Sequence, residues 1–65
     1  MTTRIYTVPG ISCDHCKHAI EGEVADVAGV ESVLVSVPDK TVEVAGWALD
    51  ATIRAAIGEA GYDVA

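Results

Sequence analysis

Gly10-Ile11-Ser12-Cys13-Asp14-His15-Cys16 carries both cysteines of a 65-residue chain, three positions apart. It sits where a strand-like run gives way to a helix-like one. Upstream, Arg4-Ile5-Tyr6-Thr7-Val8 predicts a first strand over Thr3 to Val8, with Tyr6 and Val8 on one face and Ile5 on the other. Pro9-Gly10 ends that strand, because proline has no N–H for the ladder and glycine accepts unusual backbone angles. Downstream, Cys16, Ile20, Val24 and Val27 follow at helical spacing and form one apolar stripe, while Lys17, Glu21 and Asp26 fall outside it. This spacing predicts a helix over Asp14 to Val27, capped by Gly29.

Beyond the helix, Val30 to Val37 places Val33, Val35 and Val37 on one face and Ser32, Leu34 and Ser36 on the other. Pro38-Asp39-Lys40 is turn chemistry, and Thr41 to Ala45 returns with Val42 and Val44 inward, which makes the two strands a hairpin. Gly46-Trp47-Ala48-Leu49 leads to a second helix that Asp50 would cap, with Ile53, Ala56, Ile57 and Ala60 as its buried stripe and Trp47 capping the sheet edge. Gly61 ends that helix, and Tyr62 to Ala65 supplies a short last strand. The order β-α-β-β-α-β is the α+β, ferredoxin-like arrangement: two helices on one face of a four-stranded antiparallel sheet. Residues 1–65 make a single domain, without a linker, long repeat or low-complexity tract.

With Cys16 in the first helical turn and Cys13 just ahead of it, the two side chains are surface neighbours, roughly 5–6 Å apart at Cβ. Unpaired N–H groups and the positive end of the helix dipole favour thiolates there. Thiolate is the form that binds metal, and a pair of soft thiolates suits Cu(I), which is content with two ligands. Zinc usually takes four ligands, or three and a water. His15 points away from the seam the sulfurs share, about 200° round the helix, so it reads as solvent-exposed. The alternative is contact with a metal shared between two molecules, or a hydrogen bond donated near the sulfurs. His18 has no assigned role, and Lys17 could offset the charge of a bis-thiolate metal, with Asp14 acting the other way. A structural disulfide is the weaker reading, since so short a loop constrains little of the unfolded chain. Cys-x-x-Cys beside a β-α-β pattern also suggests a thiol-disulfide oxidoreductase, but the tryptophan before the motif and the proline inside it are missing.

The stretch Gly10 to Cys16 resembles the Gly-Met-x-Cys-x-x-Cys signature of the heavy-metal-associated domain, the family of small copper chaperones and of metal-binding modules of copper-transporting P-type ATPases. Ala60-Gly61-Tyr62-Asp63-Val64 is similar to its closing Ala-Gly-Tyr segment, and Ala28-Gly29-Val30 to its turn after the first helix. The resemblance implies a copper chaperone, not an enzyme, that holds Cu(I) through Cys13 and Cys16 and passes it by thiolate exchange to a copper-transporting P-type ATPase. A copper-sensing repressor is a further partner, and a metal-dependent homodimer is a further state it allows. It also implies that Tyr62 shields the metal and donates to a sulfur. Ile11 stands where the family has a methionine that tucks into the core; it can pack there without the thioether. Ser12 stands where zinc-, cadmium- and lead-handling relatives often have aspartate, which favours Cu(I). An excised ATPase module and a zinc or mercury relative are the alternatives; the starting Met1 and the lack of linker residues favour a stand-alone protein.

Ten carboxylates against four Lys and Arg give a net charge of −6. The phosphate attraction behind nucleic-acid binding is therefore missing. No apolar run reaches the roughly 20 residues of a membrane helix, and Met1-Thr2-Thr3-Arg4 leads into a strand rather than a signal region, so a cytoplasmic location without membrane insertion is expected. Hydrophobic residues make up 51% of the chain, mostly Ala, Val and Ile, with no Phe. A chain this short buries only about 60% of its unfolded surface, so bound metal would add to stability.

Overall fold

Alternation along the strands sets the sheet, and the sheet sets everything above it. A computed structural model describes residues 2–65. Five elements follow in order: β1 (Thr2–Thr7), α1 (Asp14–Ala25), β2 (Val30–Ser36), β3 (Thr41–Gly46) and α2 (Asp50–Glu59). β3 lies between β1 and β2 and is antiparallel to both. Its register puts Tyr6, Val42 and Val35 in one row, and all three are at most 3% exposed. The adjacent row, Ile5, Glu43 and Leu34, faces the other way; Ile5 is 65% and Leu34 58% exposed. A strand's side chains alternate between faces, so one face is covered and one open.

The covered face carries both helices. Ile20 and Val24 from α1 and Ile53, Ala56 and Ile57 from α2 close over the sheet valines, with Val8 and Ile11 from the intervening loop. Of the expected stripes and inward valines, Ile20, Val24, Ile53, Ala56, Ile57, Val35, Val42 and Val44 are in the buried core, while Cys16, Val27, Ala60, Val33 and Val37 are only partly buried against it. α1 stops at Ala25, short of the expected Val27, where the Val27 N–H turns back to the Val24 carbonyl at 3.0 Å and tightens the last turn. Gly29 follows at φ +94, and its carbonyl receives the Trp47 N–H at 2.7 Å.

Three expectations need correction. The fourth strand does not form: among the described residues the sheet has three strands. The Tyr62 N–H is taken by the Ile57 carbonyl at the end of α2, and Ala65 alone of the last four residues donates to β1, reaching the Thr7 carbonyl at 2.8 Å. One bond lays the tail beside β1 without building a ladder. Asp50 does not cap α2. Leu49 occupies the N-cap, while the Asp50 carboxylate accepts from the Tyr6 hydroxyl at 2.7 Å and from Arg54 at 3.0 Å. Trp47 does not cover the sheet edge; it is 66% exposed.

Candidate metal centre

The loop between β1 and α1 is built from below. Ile11 is fully buried, and its N–H closes a tight turn onto the Val8 carbonyl at 3.1 Å. This anchors the chain just before Ser12 and Cys13, so the loop is exposed above a fixed base. Cys13 is the N-cap of α1, in extended backbone at φ −160 and ψ 172, and its side chain makes no capping bond. Its carbonyl accepts the first helical bond, from the Lys17 N–H at 3.2 Å. Cys16 lies in the first turn, partly buried against the core.

The two sulfurs are 3.6 Å apart, and both cysteines are free. The Ser12 hydroxyl lies 3.8 Å from the Cys16 sulfur. Tyr62 is brought in by the end of α2. The Gly61 N–H bonds the Gly58 carbonyl at 2.9 Å, the Tyr62 N–H bonds the Ile57 carbonyl at 3.2 Å, and Gly61 has φ +95. That pair of bonds around a left-handed residue is a Schellman cap, which folds the following side chain back over the helix end. The Tyr62 ring consequently stands beside the loop, so close that a Cβ on Gly10 would meet its Cδ1 at 3.3 Å.

These groups set the ionisation of the site. The Cys16 thiol is lowered to about 6, first by the Tyr62 hydroxyl, then by the Ser12 N–H and, after partial burial acting the other way, by the Ser12 hydroxyl and Cys13. Tyr62 is itself raised, chiefly because its proton is shared with Cys16. A thiol near 6 is mostly thiolate at neutral pH.

Of the residues singled out from sequence, the structure brings together Cys13, Cys16, Ser12 and Tyr62, and puts Ile11 beneath them. His15 and His18 are exposed, and neither hydrogen-bonds a sulfur. Among the described residues no group of three or more His, Cys, Asp or Glu side chains could share a metal ion. Lys40 was missed. Its ammonium donates to the Ile11 carbonyl, and only the structure shows that it stands at φ +56, where glycine or asparagine is favoured.

Comparison with known proteins agrees with this arrangement. The heavy-metal-associated domain family matches residues 5–63. The copper chaperone CopZ of Staphylococcus epidermidis is 39% identical over 67 residues, covering 98% of each chain. A solved structure of a CopZ metallochaperone superposes with TM-score 0.94 at 33% identity, over 98% of this chain and all of that one. A copper-binding domain of HMA7, a P-type ATPase, has the same fold at TM-score 0.94 and 22% identity, covering all of this chain and 92% of that one. With the motif, the fold and the near-complete match in agreement, the chain belongs to the heavy-metal-associated domain family.

Proposed function

We propose that the chain is a copper chaperone that holds Cu(I) between the Cys13 and Cys16 sulfurs and hands it to a copper-transporting P-type ATPase in the cytoplasm. The carrying observation is the pair of free sulfurs 3.6 Å apart at the head of α1, with Cys16 lowered to about 6. Thiolate–metal bonds of about 2.3 Å, the zinc value, need about 4.6 Å between sulfurs in a linear arrangement. The pair must therefore part by about 1 Å, which Cys13 can supply because it is exposed and uncommitted. Two soft ligands and no third suit Cu(I) over zinc. An ion held this openly leaves room for an incoming sulfur, so a third thiolate can bind before one of the first two leaves. Copper passes by ligand exchange, with no covalent change to a substrate. The family membership and the CopZ relatives support the chaperone role. No helix among the described residues is long and apolar enough to cross a membrane.

The test is anaerobic titration of the reduced protein with Cu(I) against a competing chelator, repeated with Zn(II), for wild type and for Cys13→Ser/Cys16→Ser. Near one equivalent of tightly held Cu(I), weaker zinc and loss in the double variant are the expected results. Zinc preference, or copper binding that survives the substitutions, refutes the reading. A low-pKa thiol beside a second cysteine is also a feature of thiol-disulfide oxidoreductases. That second reading predicts turnover of a disulfide substrate without metal, whereas the chaperone reading predicts none.

A further inference from the structure

Lys40 is one of four Lys and Arg residues in the chain, and it is the described non-glycine residue with positive φ, at +56. A lysine there bears a backbone cost that glycine or asparagine avoids, so its side chain is the place to look for a reason. The turn between β2 and β3 carries it directly under the loop that leads to Cys13. There Lys40 touches that loop twice. Its carbonyl accepts the Val8 N–H at 2.8 Å, and its ammonium donates to the Ile11 carbonyl. Val8 and Ile11 are the two ends of the tight turn closed by the Ile11 N–H at 3.1 Å from the Val8 oxygen. One residue therefore holds both ends of the turn on which the cysteine loop stands.

The bond to Ile11 has a directional consequence. A peptide group is planar, so fixing the Ile11 carbonyl fixes the N–H on the other side of the same plane, which belongs to Ser12. Ser12 directly precedes Cys13, and its hydroxyl lies 3.8 Å from the Cys16 sulfur, so the orientation of this peptide sets the backbone that carries the sulfur pair. A positive charge on the carbonyl also polarises the peptide and strengthens its N–H as a donor. Resting on the metal-site reading above, we propose that Lys40 is a positioning residue of the metal loop: its ammonium clamps the Ile11–Ser12 peptide and so holds the loop that presents Cys13 and Cys16 ready for Cu(I). Without the clamp the loop samples other peptide orientations, and binding must first select the right one.

The test uses Lys40→Gly, Lys40→Met and Lys40→Arg, with two readouts. Lys40→Gly suits the positive φ and removes only the side chain, so relief of backbone strain offsets the lost contact and the variant folds with a melting temperature near wild type. Lys40→Met keeps the stem and loses the charge. The first readout is native-state amide hydrogen exchange at Ile11, whose N–H closes the turn onto the Val8 carbonyl, without metal: both variants exchange about tenfold faster there, and Lys40→Arg returns to wild type. The second is Cu(I) competition against a chelator, where Gly and Met hold copper about tenfold less tightly and Arg restores it. Wild-type exchange in Lys40→Gly and Lys40→Met overturns the clamp. Faster exchange with unchanged copper retention overturns its role in positioning. If wild type itself fails to bind Cu(I) through the cysteines, the metal-site reading falls, and the exchange arm still decides whether Lys40 holds the loop.

Discussion

Replacing Tyr62 by phenylalanine removes one oxygen and keeps the ring that packs beside Gly10. The hydroxyl is the first among the groups that lower Cys16 to about 6. It favours the thiolate by donating to it, so its loss moves Cys16 upward, by about one pH unit for the largest of several contributions. At pH 7 the thiolate fraction then falls from about 90% to about 50%, and at pH 5 from about 10% to about 1%. Metal must displace whatever proton remains on sulfur, so apparent Cu(I) affinity follows that fraction. Tyr62→Phe is expected to hold copper about twofold less tightly than wild type at pH 7 and about tenfold less tightly at pH 5. Two measurements check this. Thiolate ultraviolet absorbance, titrated in a Cys13→Ser background, reports Cys16 alone, and chelator competition at both pH values reports the metal. An unchanged or lower Cys16 midpoint in Tyr62→Phe refutes the assignment. So does a copper deficit that is the same at pH 7 and pH 5, which would mean that Tyr62 acts on the bound ion and not through the proton.

Three other changes probe the frame. Tyr6→Phe deletes the 2.7 Å bond from the Tyr6 hydroxyl to Asp50 and is expected to cost about 1 kcal/mol in urea unfolding at neutral pH. Burial and that bond raise Tyr6 to about 12, so the wild type's advantage is complete below the ordinary tyrosine value and fades as pH rises toward 12; an advantage that persists beyond it counts against the assignment. Gly46→Ala at φ +144 would push a Cβ against the Gly29 carbonyl and to 2.8 Å from the Glu31 nitrogen; a loss of about 3 kcal/mol is expected, and a thermal melt close to wild type would refute it. Ile57→Ala removes a fully buried side chain at the end of α2, with an expected cost of about 3 kcal/mol in denaturant unfolding and a weakened Tyr62 contact read by a rise in the Cys16 midpoint.

Much of this was legible in sequence because period and spacing are local. Tyr6 and Val8 alternate on the covered face, Ile20 and Val24 recur at a helical interval, and Cys13 and Cys16 meet at a helix start; each follows from a few neighbouring residues. What the sequence hid depends on long-range partners. Asp50 looks like an N-cap until Tyr6, 44 residues away, claims its carboxylate. Tyr62 to Ala65 has the composition of a strand, yet the Schellman cap of α2 takes its first N–H, and one bond to Thr7 is all that joins it to β1. Lys40 reads as an ordinary turn residue, and only the packing of the β2–β3 turn under the loop 29 positions earlier gives its ammonium a carbonyl to hold.

The same geometry separates stability from metal chemistry. Among the described residues the core is eleven buried side chains between the helices and the covered sheet face, and of the metal loop only Ile11 belongs to it. Cys13 is exposed and its side chain makes no capping bond, Cys16 touches the core from its edge, and Ser12 is exposed. Substitutions at those three positions therefore leave the packed interior intact, since surface changes away from caps and cores rarely move stability far. A copper defect in a cysteine variant can be read as lost ligation and not as unfolding. Ile11 is the exception, because it is both the floor of the loop and part of the core. Truncating it would lower stability and loosen the sulfur pair together, so the volume-conserving Ile11→Met, which keeps the floor filled, is the change that isolates what the loop itself contributes.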